Sequence, residues 1–134
     1  MVDVSPIIPA GRQVLESYGG CGFRISGERY EHSVLVEVGQ TVEWHVSSWD
    51  EVTVESLLPL GNDNAQAGGQ FVGQTKTLLI GTGAKQHFPS RELRQKLRER
   101  GLVIETMDTG AACRTFNVLM AEGREVAAAL IAVD

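Results

Sequence analysis

Between residues 77 and 133, three short apolar runs alternate with two amphipathic segments, and this alternation constrains the fold more than any other feature of the sequence. The first run, 77–80, is closed by Gly81-Thr82-Gly83. Pro89 then opens a helix at its favoured first-turn position, Leu93 and Leu97 share one face at i,i+4, and Gly101 stops it. Residues 102–107 form the second apolar run. Asp108 or Thr109 caps a second helix, whose apolar stripe is Ala112, Phe116, Leu119 and Met120 and whose stop is Gly123. Residues 126–133 complete the series as a buried strand. A β-α-β-α-β order with short loops calls for parallel neighbours and right-handed crossovers.

The first half carries a different period. Segments 12–18 and 22–25 flank a Gly19-Gly20 turn, and Ser26-Gly27-Glu28 makes the next one. Apolar residues alternate at Val34, Val36, Val38 and again at Val42, Trp44, Val46, which predicts strands over 30–38 and 41–46. A two-residue turn at Gly39-Gln40, with Gly39 supplying positive φ, opposes Val38 to Thr41. A three-residue loop instead opposes Glu37 to Glu43, and the register stays open between the two. Residues 50–58 form a short helical turn, and 61–75 form a long Gly-, Asn- and Gln-rich loop of the kind that is mobile or functional. The expected architecture is one three-layer α/β domain over 1–134. It consists of a β-meander followed by β-α-β-α-β, with a central mixed, mostly parallel sheet.

Composition excludes several classes of function. With 12 basic and 17 acidic residues the net charge is −5, and the pI of 5.2 lies far from the basic range of nucleic-acid binders. Residues 1–67 hold 3 basic and 10 acidic groups, while 68–134 hold 9 and 7. The basic excess of the second half sits in Arg91, Arg94, Lys96, Arg98 and Arg100 against Glu92 and Glu99, which reads as a solvated helix face. No apolar run approaches the ~20 residues needed to span a bilayer, and the first six residues lack the features of a secretory signal. A cytoplasmic chain without membrane insertion is expected. Cys21 and Cys113 are 92 positions apart, with no CxxC or Cys/His spacing, so neither a structural disulfide nor a metal or other cofactor is expected.

Chemistry, if the chain performs any, points to the carboxyl end of the first parallel strand. Loops leaving parallel strands converge there beside helix N-termini. Gly81, Thr82, Gly83 and Lys85 come from the first loop; Asp108, Thr109, Cys113 and Arg114 come from the start of the second helix. Glu105 falls where a dinucleotide fold carries its ribose-binding acid, yet Gln86 replaces the third glycine of that fingerprint, so no dinucleotide cofactor is expected. A lone GxG is most often a purely structural turn; the alternative is a weak site for a small anion or another small molecule, with unpaired amides and Lys85 or Arg114 supplying the positive field. Cys113 near a helix start is a candidate nucleophile, although a small thiol beside Ala111 and Ala112 is more commonly buried. His45 and Glu43 share a strand face and form a candidate acid/base pair. Trp49, beside Asp50 and Glu51, is either a lid on the core or part of an exposed partner patch.

The run Leu79-Ile80-Gly81-Thr82-Gly83, then Phe88-Pro89 and Glu105-Thr106-Met107-Asp108-Thr109, resembles the Mth-type domain family of unknown function. So does Ala111-Ala112-Cys113-Arg114-Thr115-Phe116-Asn117-Val118-Leu119 with the following Glu122-Gly123-Arg124-Glu125-Val126. The family includes the mitochondrial NADH dehydrogenase (complex I) assembly factor 3 and an adipogenesis-associated vertebrate protein. The likeness is strongest over 78–130 and suggests a bacterial member. It implies a three-layer α/β fold with a central mixed sheet, no catalytic residues and no cofactor. The expected function is a non-enzymatic, protein-binding or assembly-factor-like module with a protein partner. The alternative is a small-molecule or anion binder, or an enzyme, at the rim of 81–83 and the 109–122 helix. Sequence alone sets no oligomeric state.

Overall fold

The computed structural model describes residues 2–3, 12–57 and 76–134. Within them, β1 (Val2–Asp3), β2 (Leu15–Gly19), β3 (Gly22–Ile25) and β4 (Glu28–Tyr30) form an antiparallel sheet in that order. A second sheet has the order β6-β5-β9-β7-β8, built from β5 (Val34–Val36), β6 (Thr41–Glu43), β7 (Lys76–Gly81), β8 (Leu102–Met107) and β9 (Val126–Leu130). Helix α1 (Arg91–Glu99) connects β7 to β8, and α2 (Thr109–Ala121) connects β8 to β9. The central sheet is mixed: β7 pairs in parallel with both β8 and β9, whereas β5 is antiparallel to both β9 and β6.

The expected β-α-β-α-β half is present, and the meander is divided. Strands β2–β4 keep their own sheet, while β5 and β6 extend the parallel triad through β9. The turn after β5 follows neither expected register. Val36 opposes Thr41 and Val34 opposes Glu43, so Glu37 and Gln40 close the turn, with Glu37 N–H donating to Gln40 C=O at 2.8 Å. Gly39 is not among the residues of positive φ. The alternating apolar set on β6 did not fix the register because β6 is a sheet edge, where Val42 is exposed and only Trp44 and Val46 beyond it enter the core. The 61–75 loop lies outside the described residues.

Both faces of the central sheet are buried, which explains the uninterrupted apolar run of β9. On one face Val34, Val36, Leu79, Ala128 and Leu130 pack with Phe116, Met120 and Ala112 of α2 and with Leu15, Phe23 and Ile25 of the small sheet. On the other, Leu35, Leu78, Ile80 and Ile104 pack with Leu97 of α1, Trp44 and Leu57. The start of α1 differs in detail from expectation, and that of α2 agrees with it. Ser90, not Pro89, is the residue that caps α1, its hydroxyl accepting from Leu93 N–H at 3.0 Å, and Pro89 stands one position earlier. Asp108 caps α2, accepting from Ala111 N–H at 2.9 Å.

Candidate functional site

At the carboxyl ends of β7 and β9, the glycine loop is buckled onto the first turn of α2. Thr109, fully buried, donates its hydroxyl to Ile131 C=O at 2.7 Å and accepts from Gly83 N–H at 3.0 Å. Its own amide donates to Gly83 C=O at 2.9 Å. Thr82 is also buried. Its amide donates to Met107 C=O at 2.9 Å, and its hydroxyl sits 2.6 Å from Lys85 C=O while accepting from His87 N–H at 3.1 Å. Two glycines make this approach sterically feasible. A Cβ on Gly81 would lie 3.0 Å from both Cα and Oγ1 of Thr109, and Gly83 has φ +108°, where side chains are strained.

Much of the expected anion cradle is therefore internally satisfied. The amides of Thr82, Gly83, Thr109 and Ala111 all donate within the protein. Cys113 does not face the rim. It is fully buried between α2 and the sheet, and burial pushes its thiol up to about 12, far from the range of a nucleophile. Cys21 is exposed and also free, its thiol donating to Asp134 at 2.7 Å, which raises its pKa. Lys85 and Arg114 are exposed at the margin, with Arg114 reaching the Tyr18 hydroxyl at 3.4 Å. The His45–Glu43 alternative is not formed; Glu43 instead pairs with His32 at 3.1 Å, across to the start of β5.

A hollow of about 580 Å³ opens beside this loop. Of the expected residues, Thr82, Gly83 and Asp108 line it. Tyr18 from the small sheet, Trp49 and His87 complete its walls, with the chain after β9. Trp49 stacks on His87, ring centres 6.0 Å apart and planes 10° from parallel. The turn presenting Trp49 is braced by Glu51, whose carboxylate accepts from Ser47 N–H, the Ser47 hydroxyl and Ser48 N–H at 2.7–3.0 Å. Those bonds, the Ser47 amide foremost, hold the Glu51 carboxyl below the ordinary carboxylate range. A second hollow of about 590 Å³ lies on the other side of Trp49, walled by Val52, Val54, Leu93 and Phe88. Phe88 is 76% exposed.

Sequence reasoning had singled out Trp49 by its acidic flank but had no signal for Tyr18 or His87. These come to the rim from segments 31 and 38 positions away from Trp49, and only the tertiary fold joins them. Among the described residues no group of three His, Cys, Asp or Glu side chains is arranged to hold a metal ion.

Residues 15–131 match the family described as protein of unknown function (DUF498/DUF598). The chain belongs to that family. It is 35% identical over 118 residues to NADH dehydrogenase [ubiquinone] 1 alpha subcomplex assembly factor 3 of Danio rerio, covering 88% of this chain and 63% of the relative. It therefore spans about three-fifths of the assembly factors it matches. An uncharacterized protein of Rhodobacter capsulatus is 32% identical over 123 residues, covering 91% of this chain and 86% of the relative. Among solved structures, an outer membrane protein from Bartonella henselae is 35% identical with a TM-score of 0.77, over 92% of this chain and 98% of that one. A Mth938-like domain of Bordetella pertussis is 27% identical with a TM-score of 0.73, over 97% and 92% of the two chains. Together they show the mixed α/β, Mth938-like fold. No helix among the described residues is long and apolar enough to cross a membrane.

Proposed function

We propose that the chain is a single-domain, non-enzymatic protein-binding module of the assembly-factor kind, acting in the cytoplasm. One observation carries this reading. The amides of Thr82, Gly83, Thr109 and Ala111 and the hydroxyls of Thr82 and Thr109 all bond within the protein, while the large aromatic side chain of Phe88 remains 76% exposed next to Trp49. A catalytic or tight small-ligand site needs convergent polar groups free to bind. Accessible aromatic side chains at the edge of a hollow are instead what protein interfaces bury at their energetic centres. Similarity to the assembly factors supports the same reading. Affinity capture from the native cell, with mass spectrometry of bound proteins and bound metabolites, tests it. A partner protein recovered in near-stoichiometric amount is expected; a metabolite recovered without any protein would overturn the reading.

The 580 Å³ hollow supports a second reading, a small-molecule site at the same rim. Thr82, Gly83 and Asp108 would contact the ligand, Lys85 and Arg114 would supply charge at the margin, and Gly81 and Thr109 would hold the loop. Chemical-shift titration with phosphate, sulfate and nucleotides, following the amides of 81–85 and 109–114, tests it. Shifts confined to that rim and lost in Arg114→Ala are expected of a ligand site; no shift at millimolar ligand would remove it.

A further inference from the structure

The two hollows share Trp49 as a common wall, and consecutive residues, His87 and Phe88, face one each. In the lining of the Phe88 hollow, carboxylates outnumber cations. Asp50, Glu55 and Glu92 line the Phe88 hollow, and Asp108 and Asp134 line the other. Against these five carboxylates the linings contain one ammonium, Lys96, and it is already paired with Glu92 at 3.3 Å. In the other hollow Asp108 caps α2, Asp134 accepts from the Cys21 thiol, and Arg114 reaches the lining Tyr18 hydroxyl, so the surplus of negative charge belongs to the Phe88 hollow. An exposed ring, Phe88, beside the half-buried Trp49 and a surplus of carboxylates suits one kind of side chain better than any other. A guanidinium is planar, stacks on aromatic faces and pairs with carboxylates through two parallel hydrogen bonds, whereas an ammonium does neither as well. The half-buried walls, Val52, Val54 and Leu93, in turn require an apolar group to cover them.

We propose that this surface docks a segment of a partner protein in which a large apolar side chain is flanked by arginines. The inference rests on the protein-binding reading above and gives that partner its chemistry. The carboxylate surplus of the Phe88 hollow disfavours phosphate groups there.

The test titrates the full chain with three labelled peptides of about 12 residues, read by fluorescence polarisation at about 50 and 300 mM salt. The first has a central Phe flanked by arginines, the second replaces the arginines with glutamates, and the third replaces the Phe with serine. The first is expected to bind, and more weakly at the higher salt. The other two are expected to bind at least about tenfold more weakly, as is the first peptide to Phe88→Ser or to Glu55→Gln/Glu92→Gln. Val118→Ser, at an exposed position on α2, is expected to leave binding unchanged. Phe88 and Val118 are both solvent-facing, so these variants keep the fold. Equal binding of the glutamate peptide, or undiminished binding to Phe88→Ser, would overturn the proposal. So would a dimer in sedimentation that Phe88→Ser converts to monomer, because a second copy would then be the occupant. If capture from cells recovers a partner that Phe88→Ser still holds, this surface is wrong and the protein-binding reading stands. If capture recovers no partner, the reading itself fails.

Discussion

The two faces of the central sheet are covered in different ways, and the difference separates what holds this protein together from what it offers to others. On the α2 face a helix of 13 residues buries Thr109, Gly110, Ala112, Cys113, Phe116, Asn117 and Met120, and the small sheet closes over it. The joint between them is polar as well as apolar. Asn117 donates to Leu15 C=O at 2.8 Å and accepts from Leu15 N–H at 3.0 Å, locking the helix to the edge of β2 where the ladder with β3 is irregular. On the opposite face α1 has nine residues, only Leu97 fully buried, and the rest of the cover consists of Trp44, Leu57 and two short 3-10 turns, Trp49–Glu51 and Glu55–Leu57. A thick, doubly tied layer resists rearrangement; a thin one leaves hollows and aromatic edges at the surface. The Phe88 hollow lies on the thin side, and the other opens at the rim between the two layers, with Tyr18 and the start of α2 in its wall.

Truncations rank these two layers. Phe116→Ala is expected to lower stability by about 3–5 kcal/mol, because a fully buried aromatic leaves a cavity between helix and sheets. Denaturant melts of the variant measure it, and a change under ~1 kcal/mol would mean that the α2 layer repacks freely. Asn117→Ala is expected to cost about 2–4 kcal/mol by orphaning a buried amide and a buried carbonyl of Leu15 together. Hydrogen exchange should show the β2 amides losing protection in the same variant. On the thin side the effect shrinks: Leu93→Ala, at a half-buried position of α1, should cost only about 1 kcal/mol. A loss as large as that of Phe116→Ala would erase the contrast between the faces.

The smallest expected effect concerns pH. Glu51 has a depressed pKa in the folded protein, so it binds its proton less readily there than in the unfolded chain. Its contribution to the Trp49 turn is present above the ordinary carboxylate value of 4.5 and fades as pH falls through the lower folded value. Trp49 fluorescence should therefore change below pH ~4.5 in the intact protein. In Glu51→Gln, which has no charge to lose, that step should be absent, with only a slight cost at neutral pH because the turn is exposed.

Much of the fold could be read in advance because its signals are local. Leu97 and Phe116 lie on helices bounded by caps and glycines within a few positions, and β8 and β3 have the bounds their apolar runs suggest. The β5–β6 register was not legible: β6 is an edge strand, and its pattern of Val42, Trp44 and Val46 serves two environments, solvent at Val42 and core beyond it. Nor did the sequence show that Thr109, read as a ligand contact, serves as an internal clasp between Gly83 and Ile131. A hydroxyl and a nearby amide pattern the same way whether they bind each other or something else. Cys113 is the buried thiol that its alanine neighbours suggest, and only its place among the rim candidates fails. Its place at a helix start suggests activation, but against the packed sheet the thiol points inward and is fully buried. The candidate surface combines Trp49 with Phe88, 39 positions apart, and no periodicity announces such a pair.

The most direct test of the account compares three forms of the full chain in affinity capture from the native cell: unchanged, Phe88→Ser on the thin side and Val118→Ser on the α2 side. Both side chains are exposed, at 76% and 56%, so loss of stability does not confuse the comparison. If the thin face is the docking face, the unchanged chain and Val118→Ser recover the same partner in equal amount, and Phe88→Ser loses it. Recovery by Phe88→Ser at the level of the unchanged chain, with loss in Val118→Ser, would contradict the account and place docking on the α2 side.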